Sequence, residues 1–494
     1  MTRDPSRLAG RTFDLLIVGG GIVGAGIAWD ASMRGLSCAL VEQGDFAGGT
    51  SSKTTKLIHG GIRYLENLDF GLVRRAIEER QTLLRLAPDL VKPLPFLIPV
   101  QGGSPRPWPL VRLGVTLYDL LALRPGSGQA GPPLIQRHRL LDQAQVQEAE
   151  PLLSGSGIRR GAIYTDAQMD DARLVLEVLK SAAGAGAAAL NYMKVDRWIL
   201  EGGRVVGAEL EDQVASGRYQ VRAAAVVNAT GPWVDRLRRL ADPSAKPMVR
   251  PSKGIHLVYP DLGLRQALLL SSAKDRRIFF LIPWQGLTLI GTTDTDYQGD
   301  PAEARADSDE VEYLIRETNR LLPRLKLERK GVLTTFAGVR PLVAQERKDP
   351  WAVSRMHLLH EDPNGLLSVV GGKFTTFRRI AEETVDWLGP HRFPGRSLSP
   401  CRTGMTPLGP AGHSRRVEIR AAVEEEMALS LSDLLWRRWG IGGSISLGPD
   451  RLLAAAEEMG RLLGWSAAER DRQIELYKEE LRASRRALNS GRHA

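Results

Sequence analysis

The chain has 494 residues, 43% of them hydrophobic and 25% charged, with a formal net charge of +10. That length exceeds what one core supports and the composition is ordinary for globular proteins, so two or three domains are expected. The basic excess suits an anionic partner, a phosphorylated substrate or an acidic lipid; no compact Lys/Arg run with interleaved aromatics speaks for nucleic acid.

Two isolated cysteines, Cys38 and Cys401, without CxxC or a Cys/His cluster, point away from a metal site and towards a reducing compartment. Residues 1–11 are polar and lack an apolar signal core, and no uncharged run is long enough to span a bilayer, so the protein reads as soluble or peripheral.

The stretch FDLLIVGGGIVG at 13–24 organises the rest. An apolar strand at 15–18 runs into G-x-G-x-x-G as Gly19, Gly21 and Gly24, and a helix follows to Gly35. Gly19 permits the turn, Gly21 lets backbone approach phosphate, and Gly24 lets helix and strand pack closely. A second strand at 37–41 ends at Glu42, 18 residues past Gly24, the place of a carboxylate that accepts from ribose hydroxyls. Together these read as an adenine dinucleotide site, without deciding between FAD and NAD.

Residues 44–66 are dense in Gly, Ser, Thr and Lys, and read as a functional loop. An amphipathic helix is expected at 72–86. A Pro-rich apolar stretch at 93–109 and a helix at 110–123 read as an inserted cap or a surface-seeking segment. Arg106, Trp108, Arg112 and Arg124 would suit a membrane interface, and a buried helix at a domain junction fits the same pattern. A Pro/Gly/Gln loop follows, and then a helix capped by Asp171. A meander at 185–227 turns at Gly202-Gly203 and delivers Asn228, Thr230 and Gly231 to a strand end, where open α/β sheets bind ligands.

Residues 250–296 are β-rich. At 366–376, LLSVVGGKFTT repeats the order of strand, double glycine and helix start, where amides and helix dipole favour anionic charge. Beyond a Pro/Gly linker near 401–412 the pattern is helical, with no visible chemistry.

In this order the motifs GGGIVGAGIAWDASMRG, TSSKTTKLIHGGIRYLE, NATGPWV, KGIHLV, LIGTTDTDY, AGVRPL and GGKFTTFRRIAEE make the chain resemble the aerobic FAD-dependent sn-glycerol-3-phosphate dehydrogenases, among the D-amino-acid-oxidase-like flavoproteins, over residues 12–390. The resemblance implies an α/β fold: a doubly wound FAD-binding domain with a β-rich substrate cap and a small C-terminal all-helical domain. The FAD-binding domain is expected from 1–90, 156–245 and 336–395, an inserted cap or surface segment at 91–155, the substrate domain at 246–335, and a helical domain, shortened relative to the family, at 396–494. It also implies oxidation of sn-glycerol 3-phosphate to dihydroxyacetone phosphate and electron transfer to membrane quinone. The implied setting is cytoplasmic, on the inner face of the cell membrane against its anionic surface. A homodimer is an open expectation, and the shortened C-terminal region bears on it.

The resemblance also places residues. His256 is the candidate base, with a satisfied core histidine as the plain alternative. Arg340 offers a planar fork for phosphate, or else a salt bridge under the sheet. Lys373 opposes the helix dipole at a helix start, a conflict that an anionic ligand resolves. Arg63 and Tyr64 resemble substrate contacts, with Thr292 and Arg355 behind them. For FAD the set is Gly19, Gly21, Gly24, Glu42, Thr50, Ser51, Ser52, Gly231 and Lys373, with Thr54, Lys56 and His59 near the isoalloxazine. The competing readings are a glycerol-3-phosphate oxidase using oxygen, an amino-acid or 2-hydroxy-acid oxidoreductase, and a flavin-holding scaffold without turnover.

Overall fold

The computed structural model describes residues 1–122, 135–344, 356–409, 417–445 and 447–489. Arg124 and Arg355, most of the Pro/Gly/Gln loop and part of the 401–412 linker lie outside them. In chain order the elements are β1 (Thr12–Val18), α1 (Ile22–Met33), β2 (Cys38–Val41), β3 (Leu57–Ile58), α2 (Phe70–Leu86), β4 (Val91–Gln101), α3 (Trp108–Ala122), β5 (Arg139–Asp142), α4 (Gln143–Ala149), β6 (Ile158–Met169), α5 (Asp171–Gly184), β7 (Ala188–Leu190), β8 (Met193–Glu201), β9 (Arg204–Asp212), β10 (Arg218–Asn228), α6 (Val234–Ala241), β11 (Val249–Pro260), β12 (Ala267–Ser271), β13 (Ile278–Trp284), β14 (Leu287–Gly291), β15 (Thr295–Asp296), α7 (Ser308–Leu321), β16 (Thr334–Val343), β17 (His357–Glu361), β18 (Leu367–Gly371), α8 (Phe377–Arg392), α9 (Ile419–Glu424), α10 (Gly440–Ile445), α11 (Pro449–Leu463) and α12 (Ala467–Asn489).

Two sheets carry the described strands. The first runs β17-β18-β10-β1-β2-β7, with the β8–β9 hairpin attached to β10. β1 pairs in parallel with β2 on one side and β10 on the other, so crossovers leave it in opposite directions and open a crevice beyond its carboxyl end. α1 is buried nearly all round, between sheet and the helices α5 and α8, which explains why its sequence shows no polar face. The second sheet runs β15-β11-β14-β13-β12-β4-β6-β3, with β16 on β11 and β5 on β6. Its face packs on α7, and a separate apolar cluster gathers α9, α11 and α12.

Three sequence readings change. The Pro-rich stretch forms a strand: β4 is paired along its length with β6 inside the second sheet, so 158–169 also belongs to that sheet rather than to the first. β12 covers β4 only at Phe96 and Leu97, and a strand with a mostly uncovered edge tolerates prolines at 93, 95 and 99. The cap of α5 is Asp170, which accepts from the Arg173 N–H, not Asp171. The 44–66 loop holds a two-residue strand, β3, which ties it to β6.

Candidate active site

The crevice beyond β1 is built from glycine. Gly19 has φ +116°, and a Cβ there would meet the Ala229 carbonyl oxygen at 2.6 Å; one at Gly24 would lie 2.0 Å from the Gly19 oxygen. The N-cap of α1 is Gly21, with no side-chain cap, so the first amides of the helix face the crevice. Ile22 N–H donates to Ser51 Oγ at 3.0 Å, which leaves that hydroxyl its own proton to donate. Glu42 accepts from Gly20 N–H at 2.7 Å and Gly44 N–H at 3.0 Å, one on each oxygen, and each oxygen keeps a lone pair for a ribose hydroxyl. Gly231, at φ +57°, closes the β10 side. The cradle of small residues, helix N-terminus and carboxylate fits an adenine dinucleotide.

A cavity of about 1490 Å³ runs from this crevice into the second sheet. Its inner wall carries His59, Arg63, Tyr64, His256, Thr292, Arg340 and Lys373. Arg340 Nη2 donates to Thr292 Oγ1 at 2.9 Å, and Nη1 reaches Asp294 Oδ1 at 3.4 Å. Lys373 Nζ sits 3.7 Å from the Tyr64 ring centre, and Arg63 donates to the Tyr64 hydroxyl at 3.1 Å. So Tyr64 is the platform that gathers two cations on one wall. Asp166 accepts from the Gly60 N–H, the Tyr118 hydroxyl and Arg80, and thereby holds the His59–Gly61 turn in place.

His256 is 2% exposed and stacks on Phe336 at 4.7 Å. Burial holds its imidazole well below its usual value, and Arg340 and Lys56 add to that, so it is neutral at physiological pH. Gly291 faces it across the sheet, where a Cβ would meet His256 Cδ2 at 2.3 Å; only glycine leaves room for the ring.

Of the other expected cofactor ligands, Thr50, Ser52 and Thr54 line the cavity and Lys56 does not. Lys56, expected beside the isoalloxazine, is buried and pairs with Asp171 at 2.6 Å, because φ +60° at that residue turns its side chain off the cavity. Thr54 donates to the same carboxylate at 2.8 Å, and Thr50 donates to the Val339 carbonyl at 2.6 Å. Ser52 receives Lys56 on its carbonyl oxygen.

Residues that sequence reasoning missed include Thr55, which lines the cavity and meets His256 Nε2 at 3.0 Å. The C-terminal helices, read as chemically silent, supply Trp436, Arg437, Ile441, Glu480 and Ser484 to the cavity wall. Arg437 and Arg438 both pair with Asp45 in the loop after Glu42. Burial pushes that carboxyl up, but the two guanidinium groups outweigh it and hold it below the usual range. Facing Glu480 and Arg305, Lys53 is pushed down to about 8, chiefly by burial. The signal for these was spatial: nothing in local pattern links residue 45 to residue 438.

Fold and crevice together define an FAD-dependent oxidoreductase, and the chain belongs to the FAD dependent oxidoreductase family, whose model matches residues 14–387. Within it, the chain is 40% identical over 433 residues to the glycerol-3-phosphate dehydrogenase of Synechocystis sp., covering 84% of this chain and 76% of that one. It is 35% identical over 461 residues to the aerobic glycerol-3-phosphate dehydrogenase of Bacillus subtilis, covering 91% and 81%. The X-ray structure of the glycerol-3-phosphate dehydrogenase from Bacillus halodurans complexed with FAD superposes with a TM-score of 0.79 at 29% identity, covering 97% of this chain and 96% of that one.

Proposed function

We propose that this protein oxidises sn-glycerol 3-phosphate to dihydroxyacetone phosphate and passes the electrons to membrane quinone. One observation carries the reading: a single cavity joins the glycine crevice to a wall bearing Arg63, Arg340 and Lys373. A phosphate dianion needs such a set, whereas one carboxylate is commonly met by one arginine. The names of the 35–40% identical relatives support the same substrate.

Bound FAD supplies the two-electron acceptor for a substrate C–H bond. The chain's own part is positional and electrostatic. Gly19, Gly21, Gly24, Glu42, Ser51 and Gly231 would hold the dinucleotide. Arg340 and Lys373 bind the phosphate, Arg63 and Tyr64 flank it, and Thr292 orients Arg340. His256 serves as base in its neutral form. Arg355 remains a proposed substrate contact.

The finer reading includes a peripheral membrane setting at an anionic surface. Leu110, Leu113 and Leu120 are 42%, 55% and 59% exposed along one face of α3, beside Arg106 and Arg112, and Leu110 also borders the cavity. Among the described residues no helix is long and apolar enough to cross a membrane.

The test is an anaerobic visible spectrum of the purified holoprotein. Bleaching of the flavin bands by sn-glycerol 3-phosphate, and not by glycerol or D-amino acids, supports the substrate; bands that stay oxidised refute it. Re-oxidation of the bleached protein by a short-chain quinone, without peroxide under air, supports the acceptor. Rapid peroxide release refutes it.

A further inference from the structure

The assigned base lines the cavity, yet neither of its ring nitrogens is open to it. His256 is 2% exposed, one ring face stacks on Phe336, and its edge lies against Gly291. Nδ1 is enclosed without a hydrogen-bond partner, so Nε2 is the nitrogen left for exchange, and it is joined to Thr55 Oγ1 at 3.0 Å. Thr55 is partly exposed and lines the cavity. Its outward aim has a local cause. The Thr54 hydroxyl and the Lys56 ammonium both bond to Asp171, so the residue between them points the other way.

We propose that Thr55 is a catalytic residue: its hydroxyl passes the substrate's proton to His256 Nε2. This rests on the reading above. The substrate O–H bond breaks and its proton forms a bond to Thr55 Oγ1, while Thr55's own proton moves to Nε2. The carbon is oxidised as its C–H electron pair leaves to FAD, and the imidazole ends protonated. Substrate binding assists. The phosphate dianion offsets Arg340, a cation that otherwise disfavours the imidazolium.

Thr55→Val removes the hydroxyl at nearly constant volume, and Thr55→Ser keeps it; Thr55→Ala repeats the deletion if the valine variant folds poorly. In anaerobic stopped-flow of the holoprotein, Val or Ala should slow the limiting rate of flavin reduction by at least about tenfold. Substrate affinity from the same titration should hold within about threefold, and Ser should stay near wild type. A second readout needs no turnover. In a ¹⁵N-histidine spectrum, with His256 assigned by signal loss in His256→Gln, the Nε2 resonance should move in Val and Ala and stay in Ser. A hydroxyl-deleted variant that reduces flavin at the wild-type rate, or an unmoved Nε2 resonance, overturns the relay. Wild-type protein that fails to bleach would instead remove the proposed function, so the two failures are distinguishable.

Discussion

Gly254→Ala probes the phosphate clamp without touching a charged residue. Gly254 lies on β11 opposite Gly338 on β16, and an added Cβ would meet Arg340 Nη2 at 2.3 Å, Thr292 Oγ1 at 2.4 Å and Arg340 Nη1 at 2.6 Å. Ordinary contact begins near 3.5 Å, so the guanidinium must retreat by roughly 1 Å. It then loses its 2.9 Å bond to Thr292 Oγ1 and its fit to phosphate. A hydrogen bond to a charged group contributes about 1.5–3 kcal/mol, which at about 1.4 kcal/mol per decade is a roughly 10- to 150-fold loss of substrate affinity. Two of the colliding atoms end the flexible Arg340 side chain, while Thr292 Oγ1 sits on a stiffer β-branched one, so the fold should tolerate the methyl at a cost within the roughly 1–3 kcal/mol typical of overpacking. The assay is anaerobic titration of the flavin bands with sn-glycerol 3-phosphate, with thermal unfolding measured alongside. Affinity within about twofold of wild type in a folded, FAD-replete variant would refute Arg340 as the anchor.

Lys373→Ala should raise KM at least about tenfold and leave flavin content intact, read by steady-state kinetics and absorbance; unchanged kinetics would remove Lys373 from the clamp. Asp45→Asn breaks a buried pair and should cost about 3–5 kcal/mol in urea unfolding while hastening FAD loss on dilution. A variant that retains FAD normally would sever the C-terminal helices from the cofactor loop. His256 is neutral when folded and titrates near its ordinary value when unfolded, so below about pH 6.5 the unfolded chain binds the extra proton. Stability should therefore fall by up to about 1.4 kcal/mol per pH unit on acidification, and less steeply in His256→Gln; equal slopes would place the imidazole in water. Leu113→Glu with Leu120→Glu should weaken co-sedimentation with anionic vesicles and spare flavin reduction by substrate; unchanged binding would clear α3 of a membrane role.

Local pattern was sufficient wherever one stretch of chain forms a whole device. The glycine turn needs only residues 13–24, since the close approach of Gly24 to the Gly19 oxygen is set by a turn of a few residues. The strands at β10 and β18, each ending in small residues before a helix, are legible for the same reason. β4 was not legible as a strand because three prolines argue locally against one, and only its sheet neighbours reveal that most of one edge needs no donors.

From the sequence alone came the dinucleotide crevice, the β-rich stretch at 250–296, the helical C-terminus and most of the candidate residues, because each is a short-range signal of period, turn or motif. Tertiary structure alone decided which side chains meet. It turned Lys56 inward onto Asp171 and Thr55 outward onto His256, although the two are adjacent in a run of polar residues. It also joined Asp45 to Arg437 and Arg438 across the fold, giving the C-terminal helices a part in the cofactor loop. A backbone turn of positive φ and a buried ion pair between distant segments leave no periodic trace in a sequence, so the direction of a side chain is settled only by the packing around it.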